Sequence, residues 1–289
     1  MGNTIIITDS NCDLPEEYLT LSNIPVIPFH FILNGLDYED NFGKSLNYKD
    51  FYNLIRAGAT PTTAQITPFT FEKSFEKYAE LGFSIIYIGF SSALSESFSH
   101  AKLAQTRIQE RFPSVEIYVI DSLSASLGEG LLVREASELL KSGLTSKQVV
   151  AWIEENKRKI NHWFTVDSLE YLRRGGRLSA TSATVGTALN IKPILRVDSS
   201  GHLIPAKQVI GRKKAMRTLI EEFEKNHSPE VSSTLFICHG DCLEDAAYLK
   251  KTIMARFPKI QAQIEYLGPI IGAHTGPGML GIVFWGKDR

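Results

Sequence analysis

The chain has 289 residues, of which 43% are hydrophobic and 22% are charged, and its formal net charge at pH 7 is -1. This is the composition of an ordinary globular protein that is long enough for two domains. A net charge so close to zero argues against nucleic acid or an anionic membrane as a partner, so any basic site must be local.

The N-terminal residues and the cysteines favour a cytoplasmic protein. The first nine residues lack the basic region and the long apolar run of a signal peptide. No apolar run elsewhere approaches the roughly 20 residues that span a membrane. The chain has three cysteines, Cys12, Cys238 and Cys242. This number is small and odd, which does not suit a disulfide framework, so we expect reduced thiols. No second ligand pair accompanies Cys238 and Cys242, so the sequence predicts neither a metal nor another cofactor.

Short apolar strands alternate with helices in the first half of the chain. Strands are predicted over residues 4–8, 26–31, 84–89 and 115–121. Helices are predicted to begin at Asn47, at Pro68 and at Thr145, where Gln148 completes a capping box. This alternation is typical of a parallel sheet covered by helices. We therefore predict a parallel-sheet, Rossmann-like α/β domain over residues 1–160.

The second half has a different pattern. Strands are predicted over residues 161–166, 192–197, 202–210, 234–239, 261–267 and 279–285. Helices are predicted over residues 184–190, 212–226 and 245–257. The turn at 198–201, Asp-Ser-Ser-Gly, is typical of a hairpin. The sequence thus predicts a second, α+β domain over residues 161–289 with a mixed or antiparallel sheet.

Small hydroxyl side chains are concentrated where the predicted parallel strands end. They occur in loops at residues 8–10, 61–65, 91–95 and 121–126. Ligands of open parallel sheets bind at this edge, where hydroxyls and helix N-termini can hold an anion. Ser, Thr and Asp also cap helices, and several of these residues are expected to do only that. The density of hydroxyls predicts an anion-binding cleft.

A glycine-rich segment with one histidine, His274, lies near the end of the chain. Gly272, Gly276, Pro277 and Gly278 favour a tightly shaped loop between two apolar strands. A histidine in such a loop can present one ring nitrogen to a ligand while backbone holds the other. The alternative is a glycine-rich turn whose histidine is satisfied by backbone alone.

Ser91 suggests a second function. The segment from Gly89 through Ser91 to Ala93 follows a strand and resembles the Gly-x-Ser-x-Gly nucleophile elbow of α/β-hydrolases. Asp241 and His274 follow in the matching order. However, Ala93 replaces the final glycine, and no glycine-rich oxyanion segment precedes the elbow. A Ser-His acyl hydrolase using Ser91 is therefore the alternative hypothesis.

Two basic segments could meet an anion or a partner protein. Their residues are Arg173, Arg174 and Arg177 in one, and Arg212, Lys213, Lys214 and Arg217 in the other. Charge runs are usually solvated surface, but glycines beside arginine favour a shaped loop in which a guanidinium meets phosphate or carboxylate. We expect both segments to lie outside the hydroxyl-rich cleft.

Taken in order, these motifs resemble the DegV family of bacterial fatty-acid-binding proteins over nearly the whole chain. The most specific segments are residues 176–179 (Gly-Arg-Leu-Ser), 190–195 (Asn-Ile-Lys-Pro-Ile-Leu) and 272–278 (Gly-Ala-His-Thr-Gly-Pro-Gly). The resemblance implies a two-domain fold with a long-chain fatty acid enclosed in apolar surroundings between the halves. It also implies that the carboxylate is held by Thr63, Ser95 and His274, with Ser92 as the second choice of serine.

The resemblance further implies a carrier that is not itself an enzyme. Family members present the bound fatty acid to a separate fatty acid kinase, which converts the carboxylate to an acyl phosphate. Arginines matching Arg177 and the segment near Arg212 would help to dock that kinase.

The chain departs from the family pattern at several positions. Glu96 stands where the family usually has glycine, within Leu-Ser-Glu-Ser at residues 94–97. The threonine loop continues with Ala64, Gln65 and Ile66 instead of Ser-Gln-Pro. An arginine that often precedes the basic helix is replaced by Ile210. A carboxylate on Glu96 would repel the head group unless it points away from the site.

Overall fold

A computed structural model describes residues 3–178 and 190–289 of the chain. Its strands are β1 (Thr4–Asp9), β2 (Val26–Ile27), β3 (His30–Leu33), β4 (Leu36–Glu39), β5 (Thr62–Ala64), β6 (Ser84–Gly89), β7 (Ile117–Asp121), β8 (Ile160–Thr165), β9 (Ile191–Val197), β10 (Leu203–Ile210), β11 (Thr234–His239), β12 (Gln261–Tyr266) and β13 (Leu280–Trp285). Its α-helices are α1 (Glu16–Leu21), α2 (Tyr48–Arg56), α3 (Pro68–Ala79), α4 (Ser97–Arg111), α5 (Leu127–Lys141), α6 (Ser146–Asn156), α7 (Glu170–Arg174), α8 (Arg212–Asn226), α9 (Leu243–Arg256) and α10 (Pro269–Thr275).

The first half contains the predicted parallel sheet, with strand order β2-β1-β6-β7. Its central strands are apolar on both faces because helices cover both sides. The predicted helix starts are confirmed at Asn47, at Pro68 and at Thr145, whose hydroxyl and Gln148 form a complete capping box. The predicted fold class of this half is confirmed.

A small antiparallel sheet, β4-β3-β5, was not predicted. The expected strand at 26–31 is instead divided between β2 and β3. Pro28 lies at the break, and proline has no N–H to donate to a strand ladder. Asn34 and Gly35 both have positive φ and form the tight turn between β3 and β4.

The second half contains the predicted mixed sheet, with strand order β10-β9-β8-β13-β11-β12. Among the strand pairs that the structure describes in this sheet, only β11 and β12 are parallel, and the predicted hairpin joins β9 to β10. The glycine-rich segment differs from the expectation of a loop, because residues 269–275 form α10. Pro269 occupies the first helical turn, a position where proline is favoured, and Gly276 ends the helix with a φ of +72°. The helix predicted over 184–190 lies outside the described residues.

Helix α5 connects the two sheets, since it contacts β1 and β6 on one side and β8 and β13 on the other. Leu131 of this helix and Val283 of β13 belong to one buried apolar cluster. A second link is polar: the Ser91 hydroxyl donates to the Gly201 carbonyl oxygen at 3.0 Å. Among the described helices, none has the length and hydropathy needed to cross a bilayer.

Candidate functional site

A largely apolar cavity is lined by residues of both halves. Its empty volume, including the part open to solvent, is about 830 Å³. Its wall includes Phe29 and Phe90 from the first half, and Phe164, Met279 and Val283 from the second. Such a cavity suits the apolar body of a ligand whose orientation is fixed by a few polar groups.

Two predicted site residues, Thr63 and His274, form a hydrogen bond on the cavity wall. Thr63 Oγ1 lies 2.9 Å from His274 Nε2. Thr63 is held by β5, where it pairs with Phe31 of β3. His274 lies in the last turn of α10, just before Gly276. The small sheet and the helix of the glycine-rich segment thus bring together residues that are 211 positions apart.

His274 is uncharged at neutral pH. Burial, together with the positive charges of Arg177 and Arg174, lowers its pKa to about 4. The neutral ring has one N–H and one lone pair. Nδ1 is buried without a hydrogen-bond partner among the described residues, and it packs against Gly175, where an added β-carbon would lie 2.0 Å away. The histidine can therefore serve as a hydrogen-bonding group rather than as a charge.

Ser95 also lines the cavity, where it is 9% exposed. Its hydroxyl donates to Ser97 Oγ at 3.1 Å and accepts from the Ser97 N–H at 3.2 Å. Ser97 Oγ in turn accepts from the Ile66 N–H, which ties the start of α4 to the loop after Thr63. Glu96, the departure from the family pattern, is exposed and is absent from the cavity wall formed by the described residues.

Arg177 lies on the cavity wall, so the expectation that it is outside the cleft is wrong. Its Nε donates to the Leu94 carbonyl at 3.1 Å, and its Nη1 donates to the Gly175 carbonyl at 2.6 Å. It therefore ties the glycine turn beside His274 to the loop that carries Ser95. Thr63, Ser95, His274 and Arg177 thus belong to the polar part of the wall.

A sequence profile described as an uncharacterised protein family, DegV, matches residues 3–287. The chain belongs to the DegV family. It is 40% identical over 289 residues to a DegV domain-containing protein of Clostridium perfringens, covering 100% of this chain and 99% of that protein. It is 30% identical over 282 residues to the protein DegV of Bacillus subtilis, covering 97% of this chain and 98% of that protein.

Solved DegV structures share this architecture. A DegV family protein from Thermus thermophilus, described by its fatty acid binding, has a TM-score of 0.88 and 29% identity, with 99% of this chain and 100% of that chain covered. DegV of Bacillus subtilis, described as a fatty acid binding protein, has a TM-score of 0.86 and 28% identity, with the same coverage. The two-domain α/β fold predicted from the sequence is thereby confirmed.

Ser92 and Arg212 do not reach the cavity of this DegV chain. Ser92 is exposed, and its N–H donates to Asp121 Oδ1 at 3.2 Å. The Arg212 side chain is 20% exposed, and its Nε donates to Asp245 at 2.7 Å. Its Nη2 also donates to the Cys242 sulfur at 3.3 Å. Arg212 therefore belongs to a polar cluster on the second half, outside the cavity wall.

The three residues of the hypothetical hydrolase, Ser91, Asp241 and His274, each contact other groups and do not contact one another. The Ser91 hydroxyl is fully buried and donates to the Gly201 carbonyl rather than to a histidine. Asp241 forms an ion pair with Arg56 and accepts from the Tyr266 hydroxyl. His274 is hydrogen-bonded to Thr63. The order of these residues along the sequence thus does not correspond to a catalytic triad in the fold.

Two of the hydroxyl-rich loops act as structural turns. Asp9 is buried, and it accepts hydrogen bonds from the Tyr87 hydroxyl and the Phe90 N–H at 2.7 and 3.1 Å. Burial raises its pKa to about 6. Asp121 accepts from the N–H groups of Ser92 and Leu123. Only the loops that carry Thr63 and Ser95 bring predicted head-group residues to the cavity.

Sequence reasoning missed much of the wall. His162, Phe164 and Cys238 lie in segments that it predicted only as strands. Strand periodicity marks a buried face, but it does not distinguish a face packed against protein from one that encloses a cavity. The contact of Gly175 with His274 was also missed. The Gly-Gly pair at 175–176 was the available signal, since glycine permits close approach of another group.

Proposed function

We propose that this protein binds a long-chain fatty acid and presents its carboxylate to a separate kinase. The observation that carries the proposal is the Thr63–His274 hydrogen bond on the wall of a largely apolar cavity. On this proposal Thr63, Ser95 and His274 hold the carboxylate, and the acyl chain fills the cavity. The fatty acid binding attributed to the similar Thermus thermophilus and Bacillus subtilis proteins supports the same function.

The head group would be held mainly by neutral donors. If His274 Nε2–H donates to Thr63 Oγ1, the threonine hydroxyl retains its own proton for a carboxylate oxygen. Two nitrogens of Arg177 already donate to backbone carbonyls, so a bidentate clamp on the carboxylate is disfavoured. On this proposal the carboxylate accepts from the Thr63 hydroxyl, which neutral His274 orients. It also accepts from the Ser95 hydroxyl when that hydroxyl turns away from Ser97. These few neutral donors keep a carboxylate oxygen available as a nucleophile.

The cavity would supply most of the binding free energy. Each buried CH₂ contributes about 0.8 kcal/mol, so a chain of about sixteen carbons compensates for its loss of freedom if water is excluded. We propose residues 1–160 and 161–289 as the two domains, with the ligand between them. In this arrangement the fatty acid contacts both domains and stabilises their association.

The transfer step itself would belong to the kinase. One carboxylate oxygen attacks the γ-phosphorus of ATP held by the kinase, a new O–P bond forms, and the bond to the β-phosphate oxygen breaks with release of ADP. The carrier contributes no catalytic residue and needs no cofactor. Arg212 and Arg177 are the proposed docking residues, and both proteins would meet in the cytoplasm.

The binding step is tested by fatty acid affinity in His274→Ala and in Ser92→Ala. His274→Ala removes the ring that orients the Thr63 hydroxyl toward the carboxylate, so binding should weaken about tenfold or more. Ser92→Ala is the matched control, because Ser92 is exposed and off the cavity wall. Isothermal titration with palmitate gives both affinities. Equal affinity in His274→Ala and the parent protein would exclude the proposed carboxylate site.

Docking is tested separately with Arg212→Gln. Lipid affinity should stay within about twofold, while acyl-phosphate formation by the kinase should slow, most strongly at low salt, where charge attraction has a longer range. Lys251→Gln removes one exposed charge from α9 and serves as the control. Unchanged turnover with Arg212→Gln at low salt would contradict a docking role for this residue.

A further inference from the structure

The cavity contains a second histidine, His162, which the proposed head-group site does not use. It lies on β8 and lines the cavity, and it is only 5% exposed. Neither of its ring nitrogens has a hydrogen-bond partner of good geometry in the described part of the chain, although the Ala125 and Ile160 backbone lies beside the ring. A buried donor and acceptor left unpaired are costly, and natural proteins usually satisfy both.

The ring is held tightly in place. A β-carbon added to Gly128, at the start of α5, would lie 1.8 Å from His162 Nε2, so the histidine occupies space that only a glycine leaves open. Burial and the positive charge of Arg289 lower its pKa well below the ordinary value. The ring is therefore neutral, with one N–H and one lone pair.

His162 occupies a different part of the wall from the head-group residues. It pairs with Val283, whereas Thr165, at the other end of β8, pairs with Leu280. The chain leaves β8 after Thr165 and leads to Gly175, which packs against His274. Three residues of strand span about 10 Å, so His162 lies about that far back along β8 from Thr165.

We propose that the cavity accepts fatty acids with a hydroxyl group on the acyl chain, and that His162 is the hydrogen-bond partner of that hydroxyl. The proposal rests on the fatty-acid-binding function proposed above. A hydroxyl both donates and accepts, so it can pair with one ring nitrogen of the neutral imidazole in either tautomer. The apolar wall around it, including Phe164 and Val283, would make the position of the hydroxyl along the chain selective.

The test compares stearate with a series of hydroxystearates that differ in the position of the hydroxyl. The parent protein should bind one positional isomer about tenfold more tightly than the others and at least as tightly as stearate. In His162→Phe the affinity for the preferred isomer relative to that for stearate should fall about tenfold. Phe164→Leu, on the same strand, is the control: it alters the wall but should retain the preference for that isomer over the others.

A second readout is independent of affinity differences among variants. The ring nitrogen NMR signals of His162 should shift with the preferred hydroxystearate and stay nearly unchanged with stearate. If stearate binds but all hydroxystearates bind more weakly to an equal degree, the inference is wrong and the proposed function stands. The same conclusion follows if His162→Phe keeps the preference. If neither stearate nor any hydroxystearate binds, the proposed fatty acid function fails as well.

Discussion

At the scale of single residues, the proposed head-group site depends on a contact between Gly175 and His274. Gly175 has an ordinary helical φ of -73°, so alanine fits its backbone conformation. Yet an added β-carbon would lie 2.0 Å from His274 Nδ1. The glycine is needed for the space it leaves rather than for its conformation.

This distinction predicts opposite effects at two adjacent glycines. Gly175→Ala should displace the His274 ring and weaken fatty acid binding about tenfold or more, with little loss of stability. Gly176 has open space around it but a φ of +69°, so Gly176→Ala should cost about 1 kcal/mol of stability while binding is kept. Urea unfolding and lipid titration of both variants check this. Normal binding by Gly175→Ala would show that His274 does not need its observed position.

A second prediction concerns the buried carboxyl of Asp40. Burial, with the negative charges of Asp9 and Glu39 nearby, raises its pKa to about 7. The folded protein therefore holds this proton up to about pH 7, whereas the unfolded chain releases it near pH 4. Since the folded state binds more protons in this window, the contribution of Asp40 to stability is present below pH 4 and is lost as pH rises to 7.

Asp40→Asn removes that titration. The unfolding free energy of the parent protein minus that of the variant should fall between pH 4.5 and pH 7.5, by an amount on the order of 2–4 kcal/mol. Urea unfolding at both pH values measures the difference. A difference that is constant with pH would mean that Asp40 is ionised in the folded protein throughout this range.

At the scale of elements, the small sheet holds Thr63 of the proposed head-group site. Strand β3 pairs with β4 on one side and with β5, which carries Thr63, on the other. A weakened turn between β3 and β4 should therefore affect the position of Thr63. The rest of the core should be much less affected, because β1 and β6 belong to a different sheet.

Gly35→Val is the variant that tests this dependence. Valine is strongly disfavoured at the φ of +78° found there, so the turn should loosen and lipid affinity should fall severalfold. Gly143→Val is a matched control, since Gly143 has a φ of +97°, equally open space, and a place between α5 and α6. It should lose stability but bind lipid normally. Equal affinities for the two variants would show that the hairpin does not position Thr63.

The elements also show where sequence reasoning succeeds. Strands β1 and β6 and the helix starts at Asn47 and Thr145 were predictable because apolar runs and capping residues act locally. The small sheet and α10 were not, since short strands and a helix rich in glycine depend on contacts with distant segments. The pair of Thr63 and His274 came from family resemblance, as no local pattern links positions so far apart. The sequence predicted the mixed sheet of the second half. It did not predict which face of that sheet lines the cavity.

At the scale of the whole molecule, the ligand is expected to couple the two halves. The cavity wall draws on both, and α5 already contacts strands of both sheets. A bound fatty acid adds apolar contacts to each side at once. Its binding free energy should therefore appear as stability of the assembled protein.

Hydrogen exchange can measure this coupling. With palmitate bound, amide protection should rise together in β1 and β6 of the first sheet and in β8 and β13 of the second, because opening of either half exposes the chain. His274→Ala at equal occupancy should show the same distribution. A rise in protection confined to residues 161–289 would contradict a ligand shared between the halves.

The position of Cys238 also makes the cavity observable without an added label. Its thiol lies on the cavity wall and is 2% exposed, and burial raises its pKa, so it stays protonated. The S–H stretching vibration absorbs in an infrared region that is nearly free of other protein bands, and its frequency depends on the polarity around the sulfur. Cys242 should give a separate band, because its thiol donates to the Met279 carbonyl at 3.2 Å. Infrared spectra recorded while the fatty acid is loaded and transferred could thus follow it through the S–H stretching band of Cys238.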